Sequence, residues 1–280
     1  MTVHFPEDIK SALDLFDMFP DSLLWAGGTD LMAELRAKKR PAPESVIFLE
    51  KVKELAEIRD EGVSIFIGAG ARLSGIAENK LILDSAPVLT QALCAHSSPP
   101  IRNMATLGGN ICTASPAADA VPPLYVLGGE LLLQKKDASR KVRAGDFFLG
   151  PRKTVLEKGE LLTGVSFPKP PQGSVQYFEK VGQRKALAIA IVSMAAILTT
   201  DSGGRVEKAR FAWGSVGPTV VRIPETEAIF EGKKPTHELF RQAAELVKDS
   251  VRPIDDIRAS AAYRSQVAGN LVLRLLPDQV

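Results

Sequence analysis

The chain contains the segment Trp25-Ala26-Gly27-Gly28-Thr29-Asp30-Leu31 and, further on, the segment Ala105-Thr106-Leu107-Gly108-Gly109-Asn110-Ile111. Each segment joins two adjacent glycines to hydroxyl, amide or carboxylate side chains. Glycine lets a backbone approach a ligand closely and adopt positive φ angles, and clustered backbone N–H groups form a concavity that binds anions. We therefore expect the two segments to hold one long anionic ligand, such as a dinucleotide, from two sides.

The first segment lies between an apolar run and a helix. Leu23 to Ala26 reads as a buried strand that leads into the glycine pair, and Thr29 or Asp30 is a suitable cap for the helix that follows. That helix ends at Lys38-Lys39-Arg40-Pro41, because basic residues suit a helix C-terminus and proline stops a helix. The order of strand, glycine pair and helix start directs backbone N–H groups at one spot. A tight turn with a helix cap is the alternative interpretation.

The second segment continues into a stretch of small and polar residues, Thr113-Ala114-Ser115-Pro116-Ala117-Ala118-Asp119. A bend or a bulge would need fewer residues, and a loop of this length usually carries function. Thr106 and Asn110 offer hydrogen-bonding partners for a phosphate or a ribose. Asp119 is an acceptor suited to a ribose hydroxyl or a ring N–H, or else it caps the short helix that follows.

Composition excludes several classes of function. The 280 residues include 35 basic and 33 acidic side chains, and a net charge of +2 argues against nucleic-acid binding. No apolar run has the length of a membrane span, and the N-terminus does not read as a secretory signal, so we expect a cytoplasmic protein. Two cysteines, Cys94 and Cys112, cannot hold an iron–sulfur cluster alone, and three scattered histidines indicate no metal site.

No catalytic acid–base constellation is visible, which fits a protein whose cofactor carries the reaction. The segment Gly68-Ala69-Gly70-Ala71-Arg72-Leu73 follows a predicted strand and resembles the start of a dinucleotide-binding fingerprint. The last position is leucine, however, where the fingerprint has glycine or alanine. We interpret the segment as a plain turn from a strand to a helix. Further along, Pro87 to Ala95 reads as a helix and Val175 to Val181 as a strand, and the two runs at 131–134 and 141–143 read as a hairpin around residues 136–140.

A linker divides the chain at Pro168-Lys169-Pro170-Pro171-Gln172-Gly173. It predicts one domain at residues 1–168 and a second at residues 174–280. In the second domain, Asp201-Ser202-Gly203-Gly204 indicates a hairpin between two long strands, and the remainder reads as helical, with a last helix over 256–276. Antiparallel strands covered on one face by helices predict an α+β domain.

Five parts of the sequence together resemble the FAD-binding medium subunit of molybdenum hydroxylases, the family of xanthine dehydrogenase and carbon monoxide dehydrogenase. They are the first segment, residues 101–119 with the second segment, Tyr177 to Arg184 with the apolar run that follows, Gly214 to Thr219, and Asp256 to Arg264. The resemblance covers essentially the whole chain. It implies an α+β fold with an FAD-binding domain of the vanillyl-alcohol-oxidase (PCMH) type in two subdomains. A C-terminal α+β domain follows, with an antiparallel sheet covered by helices.

The resemblance also implies non-covalent FAD and a set of residues that hold it. The first segment would wrap the pyrophosphate, the second would hold phosphate, ribitol and adenosine parts, and Lys180 would lie near the flavin ring. The implied cofactor-binding residues are Leu24, Trp25, Ala26, Gly27, Gly28, Thr29, Asp30, Leu31, Ile101, Ala105, Thr106, Gly108, Gly109, Asn110, Cys112, Thr113, Ala118, Asp119, Leu161, Leu162 and Lys180.

The family implies partners as well. An iron–sulfur subunit would carry [2Fe–2S] clusters, a third subunit would carry molybdopterin, and electrons would pass to an acceptor such as NAD. The sequence departs from the family at His96 and Ser97, where an aromatic residue near the flavin is absent. Two alternatives remain: a stand-alone PCMH-type flavin oxidoreductase, and a non-catalytic nucleotide-binding assembly subunit.

Overall fold

The computed structural model describes residues 1–184 and 187–276. The chain divides into two compact units, each assembled from three segments. The first unit consists of Met1–Ile76, Ser98–Ala114 and Gly128–Pro168, and the second of Ala77–Ser97, Ser115–Leu127 and the residues from Lys169 onward. Residues 185–186 and 277–280 of the predicted C-terminal domain lie outside the described residues. Since both units are discontinuous in sequence, the domain boundaries at 168 and 174 stay a prediction.

The described residues form thirteen strands and twelve α-helices. The strands are β1 (Thr2–His4), β2 (Leu23–Trp25), β3 (Ser45–Phe48), β4 (Ile58–Asp60), β5 (Ser64–Gly68), β6 (Glu130–Lys135), β7 (Ala138–Arg143), β8 (Phe148–Gly150), β9 (Lys153–Thr154), β10 (Leu161–Pro168), β11 (Val175–Val181), β12 (Val192–Thr200) and β13 (Val206–Gly214). The helices are α1 (Ile9–Met18), α2 (Leu31–Arg36), α3 (Leu73–Glu78), α4 (Lys80–Ser85), α5 (Pro87–Ala95), α6 (Pro99–Arg102), α7 (Leu107–Cys112), α8 (Val121–Leu127), α9 (Ala144–Phe147), α10 (Pro224–Phe230), α11 (His237–Ser250) and α12 (Ala261–Val272).

The first unit contains two main sheets. Three parallel strands form one sheet in the order β1-β3-β2, and five antiparallel strands form the other in the order β4-β5-β10-β6-β7. Apolar side chains of α1, β3 and β10 share a buried cluster that includes Leu13, Ile47 and Leu161. The predicted hairpin around residues 136–140 is confirmed, with a tight turn between β6 and β7. This mixture of helices and sheets matches the predicted fold class.

The second unit is built on the antiparallel sheet β11-β12-β13. Alternate residues of β12 and β13 face opposite sides of this sheet. On one side, Met194 and Trp213 join a core with residues of α10, α11 and α12. On the other side the small residues Ala195 and Ala212 are fully buried, and α5 and α8 contact the same strands. Helices therefore cover both faces of the sheet, whereas the sequence predicted one.

Most predicted elements occur at or near their predicted bounds. Helix α5 and strand β11 coincide with the predicted ranges, and β5 leads through residues 69–72 into α3, which confirms the plain turn. Two predictions are wrong: the second glycine segment contains helix α7, and the last helix begins at Ala261 rather than at residue 256. No helix in the described ranges has both the length and the apolar character that a membrane crossing requires.

Candidate cofactor site

The first glycine loop (residues 24–31) leaves a run of backbone donors unused. None of the N–H groups of residues 27–31 donates a hydrogen bond to another group of the residues described. Gly27 is buried, and Gly28 and Thr29 are partly buried. Unpaired donors at such positions cost free energy unless a ligand or water accepts from them. The loop thus leaves a run of backbone N–H groups free to donate to an anion.

Gly27 lets the two glycine loops touch. A Cβ atom on Gly27 would lie 2.0 Å from the carbonyl oxygen of Met104 and 3.0 Å from the Cα atom of Ala105. Gly28 has a φ of +69°, and a Cβ atom there would lie 2.6 Å from the indole Nε1 of Trp25. Gly27 is therefore required by the close approach of the first loop to the chain before α7, and Gly28 is required by its positive φ and by the indole of Trp25. The two segments lie side by side in the first unit, as expected for segments that share one ligand.

The second glycine loop (residues 105–113) is arranged differently from the expectation. Its donors are used within the first unit: the N–H groups of Leu107 and Gly108 donate to the carbonyls of Ala71 and Ala69, at 3.0 and 2.7 Å. The N–H group of Gly109 donates to the hydroxyl of Thr106 at 3.1 Å. Thr106 is thus the N-cap of α7, and its hydroxyl, which accepts this bond, keeps its own proton to donate to a ligand.

Asn110 fits a role in ligand binding. Its Oδ1 atom is buried and makes no hydrogen bond within the described part of the chain. A buried polar atom without a partner is rare in folded proteins and indicates a missing ligand or water. Together with the free N–H run of the first loop, this amide supplies the donor and acceptor groups that a dinucleotide needs.

Asp30 holds the two loops together instead of capping a helix. It occupies the N-cap position of α2, but its carboxylate makes no capping hydrogen bond, so the predicted cap is wrong. Its Oδ2 atom accepts from the hydroxyl of Thr113 at 3.4 Å and from the guanidinium of Arg152 at 3.3 Å. Sequence reasoning missed Arg152, because a solvent-facing arginine after Gly-Pro carries no local signal of such a contact.

A buried cluster of charges lies in the second unit. Lys180 Nζ donates to Asp119 Oδ2 at 2.9 Å, and His96 Nδ1 lies 2.9 Å from the same oxygen. The side chains of Lys180 and Asp119 are only 8% and 6% exposed. The other oxygen of Asp119, Oδ1, is buried without a partner in the portion of the chain described. Asp119 therefore does not cap α8, and its second oxygen is available as an acceptor.

The remaining predicted residues differ in accessibility. Leu161 and Leu162 are 5% and 4% exposed, which leaves little of either side chain to a ligand. Ala118 is buried, and Ile101 lies exposed on α6. Both cysteines are free. Cys112 retains exposed surface, yet desolvation by the surrounding protein raises the pKa of its thiol to about 12.

Fold and site together define a flavoprotein with a two-loop nucleotide-binding domain. Residues 1–170 match the family model of the FAD binding domain in molybdopterin dehydrogenase, and residues 176–278 match the CO dehydrogenase flavoprotein C-terminal domain. The chain belongs to the family of FAD-binding medium subunits of molybdenum hydroxylases. Its cofactor is FAD, and it is a subunit of an oxidoreductase.

Individual relatives are similar over nearly their whole length. The nicotinate dehydrogenase FAD-subunit of Eubacterium barkeri is 30% identical, with 97% of this chain and 92% of that subunit covered. The solved carbon monoxide dehydrogenase of Hydrogenophaga pseudoflava has a TM-score of 0.92 at 29% identity, covering 98% of this chain and 95% of the matched one. The solved quinoline 2-oxidoreductase of Pseudomonas putida 86 has a TM-score of 0.92 at 26% identity, covering 100% of this chain and 96% of the matched one.

Proposed function

We propose that this chain is the electron-transfer subunit of a molybdenum hydroxylase complex, in which electrons pass from [2Fe–2S] clusters of a partner subunit through FAD to an acceptor such as NAD⁺. A further subunit would carry the molybdopterin. The relatives support this proposal, since they are named as the FAD-subunit of nicotinate dehydrogenase and the medium chain of carbon monoxide dehydrogenase. The complex would act in the cytoplasm.

The run of unused N–H groups at residues 27–31 carries the proposal. These donors would receive the diphosphate of non-covalently bound FAD, because several N–H groups converging on one anion stabilise its charge. The amide of Asn110, whose Oδ1 has no partner in the described chain, would accept from a hydroxyl of the same ligand. The flavin, once bound, supplies one-electron and two-electron redox chemistry.

Two members of the buried charge cluster, Lys180 and Asp119, are assigned to FAD by the resemblance. A lysine near a flavin ring favours negative charge on the ring. The carboxylate of Asp119 holds the ammonium of Lys180 in one position through the 2.9 Å hydrogen bond, and it keeps Oδ1 free as an acceptor. We propose that Asp119 contacts the cofactor through Oδ1 and that Lys180 contacts it through the ammonium group.

The proposal is tested by expressing the chain alone and recording its absorbance after incubation with FAD. We expect a flavin spectrum in equimolar amount, reduction by dithionite, and reoxidation by NAD⁺ or an artificial acceptor. Purification from the native host should then yield this chain together with subunits that contain iron, acid-labile sulfide and molybdenum. Absence of flavin from both preparations would contradict the proposal.

The two alternatives give different results in the same experiment. A stand-alone flavoenzyme would turn over a substrate without partner subunits and would purify without molybdenum. An assembly subunit would bind the nucleotide, but its flavin would not be reoxidised by any acceptor that the native complex uses. Neither alternative has support from the described residues beyond the nucleotide-binding loops that all three functions share.

A further inference from the structure

Arg152 contacts the first glycine loop and the residue that directly follows the second. Its Nη1 atom donates to Asp30 Oδ2 at 3.3 Å and to Glu34 Oε1 on α2. Its backbone N–H donates to the carbonyl of Ala114 at 2.9 Å. Asp30 belongs to the first loop, and Ala114 follows the second loop directly. A residue from a third segment of the unit therefore holds both loops in place.

The backbone at this contact is unusual for residues with side chains. Arg152 has a φ of +58° and Ala114 a φ of +47°, both in the left-handed region that glycine adopts without strain. A strained backbone that the surrounding structure maintains often marks a functional position. Glycine would suit the turn at position 152 better than arginine, so the strain points to a requirement for the guanidinium group.

The charges beside the first loop explain that requirement. Asp30 lies within the run of free N–H groups, and Glu34 follows one helical turn later. Two unpaired carboxylates at these positions would repel an anionic diphosphate bound to the same N–H groups. Arg152 pairs with both carboxylates, and Arg40 Nε also pairs with Glu34 at 3.2 Å. These ion pairs neutralise the negative charge of Asp30 and Glu34 at the place where the anionic diphosphate would bind.

We propose that Arg152 is a positioning residue for FAD: it neutralises Asp30 and Glu34 so that the first glycine loop accepts the diphosphate. This inference rests on the proposed function, in which that loop holds the diphosphate. The side chains of Arg152 and Asp30 are 56% and 47% exposed, and ion pairs with such exposure contribute little to folding stability. Loss of Arg152 therefore affects FAD affinity and leaves the stability of the apoprotein nearly unchanged.

The test is a titration of the full apoprotein with FAD at low and at high salt. Binding is measured by the quenching of flavin fluorescence, which gives the Kd. We expect Arg152→Ala to raise the Kd of FAD about tenfold at low salt, with a smaller difference at high salt. The Kd of FAD for Arg152→Lys should lie between those of wild type and Arg152→Ala. Adding Asp30→Asn to Arg152→Ala should restore most of the affinity. Lys136→Ala, which breaks an exposed ion pair with Asp17 in the same unit, is the control and should bind FAD normally.

The rescue by Asp30→Asn shows whether Arg152 acts by neutralising the charge of Asp30 or only by holding the loop in place. If Arg152 only held the loop, removing the charge of Asp30 as well would not restore the affinity for FAD. The inference is overturned if wild-type protein binds FAD and Arg152→Ala binds it equally well, or if Asp30→Asn fails to rescue the affinity. The single variant Glu34→Gln, with Arg152 retained, gives an independent reading: we expect unchanged or tighter binding of FAD, and weaker binding contradicts the inference. Wild-type protein that binds no FAD overturns the proposed function, and this inference with it.

Discussion

Gly108 lies so close to Ala69 that the two residues leave no space for another side-chain atom. A Cβ atom on Gly108 would lie 2.7 Å from the Cβ atom of Ala69 and 2.8 Å from its carbonyl oxygen. The N–H group of Gly108 donates to that same carbonyl at 2.7 Å. The second glycine loop is therefore fixed against the end of β5 by a contact that only glycine permits.

We predict that Gly108→Ala weakens both folding and FAD binding. The added methyl group must displace backbone, and overpacking of this kind costs about 1–3 kcal/mol. The displaced helix α7 would also move Asn110, so the affinity for FAD should fall. Urea unfolding and flavin titration measure the two effects. Gly75→Ala is the matched control, since a Cβ atom on this helical glycine meets no atom within 4 Å. This variant should bind FAD normally, and its free energy of unfolding should rise by about 0.5–1 kcal/mol.

We predict that Lys180→Met destabilises the second unit because it leaves the carboxylate of Asp119 buried without its cation. Breaking a buried ion pair from one side costs about 3–5 kcal/mol. Replacing Asp119 by asparagine in the same protein should recover part of this loss, since no buried charge remains. Urea unfolding of the single and double variants measures the coupling.

Lys80→Met provides the comparison for that prediction. Lys80 forms an exposed ion pair with Asp84 in α4 of the same unit, at 3.1 Å, and its loss should cost less than about 0.5 kcal/mol. If Lys180→Met were as mild as this control, the cluster would not be the buried charged site described above.

The outline of the fold was accessible from the sequence where local signals and tertiary packing agree. Helix α5 begins at Pro87, which is favoured in the first turn of a helix, and its predicted bounds are correct. Helix α7 was missed because its sequence Leu-Gly-Gly-Asn-Ile-Cys has poor helix propensity. It is held by the Thr106 cap and by hydrogen bonds to Ala69 and Ala71, which are distant in sequence.

Other features depended on contacts that sequence patterns do not reveal. Helices cover both faces of the second unit's sheet, and the signal for this was the unbroken buried run from Val192 to Leu198. At the site, the glycine pairs and Asn110 were predicted as a group, whereas the capping roles of Asp30 and Asp119 were not correct. Arg152 could not be found from the sequence, because the carboxylates that its guanidinium contacts lie more than a hundred residues away in the chain.

We predict that the thiol of Cys112 reacts slowly with iodoacetamide. Desolvation raises its pKa to about 12, and the thiolate is the reactive form, so its local environment decides its reactivity despite its exposed surface. In a Cys94→Ser variant, labelling at pH 8 should be roughly 50-fold slower than for an unstructured peptide cysteine. The rate should rise about tenfold per pH unit through pH 10. A plateau near pH 9 would show that the thiol has an ordinary pKa.

We predict that Asp256 stabilises the second unit in a pH-dependent way. Its carboxylate accepts from the backbone N–H groups of Arg258 and Ala259, at 2.7 and 3.2 Å, and from the buried guanidinium of Arg264 at 2.7 Å. The hydrogen bond from Arg258, with further contributions from Arg264 and Ala259, lowers the pKa of this carboxyl from its usual 3.8. A lowered pKa means that the ionised form stabilises the fold at every pH above the usual value, and that this contribution is lost as the pH falls below it.

Asp256→Asn should therefore unfold at lower urea concentration than wild type at pH 7 and pH 5, by the same margin at both. Below about pH 3.8 the difference in urea midpoint between wild type and variant should shrink. At such a pH Asp256 is protonated in the unfolded wild-type protein but ionised in the folded one, so unfolding takes up a proton and acid favours it. Asp84→Asn, which alters an exposed carboxylate of the same unit, should show little change at any of these pH values. A margin for Asp256→Asn that stays constant down to pH 2.5, or that grows on acidification, would mean that the carboxylate is not held in its ionised form by Arg258 and Arg264.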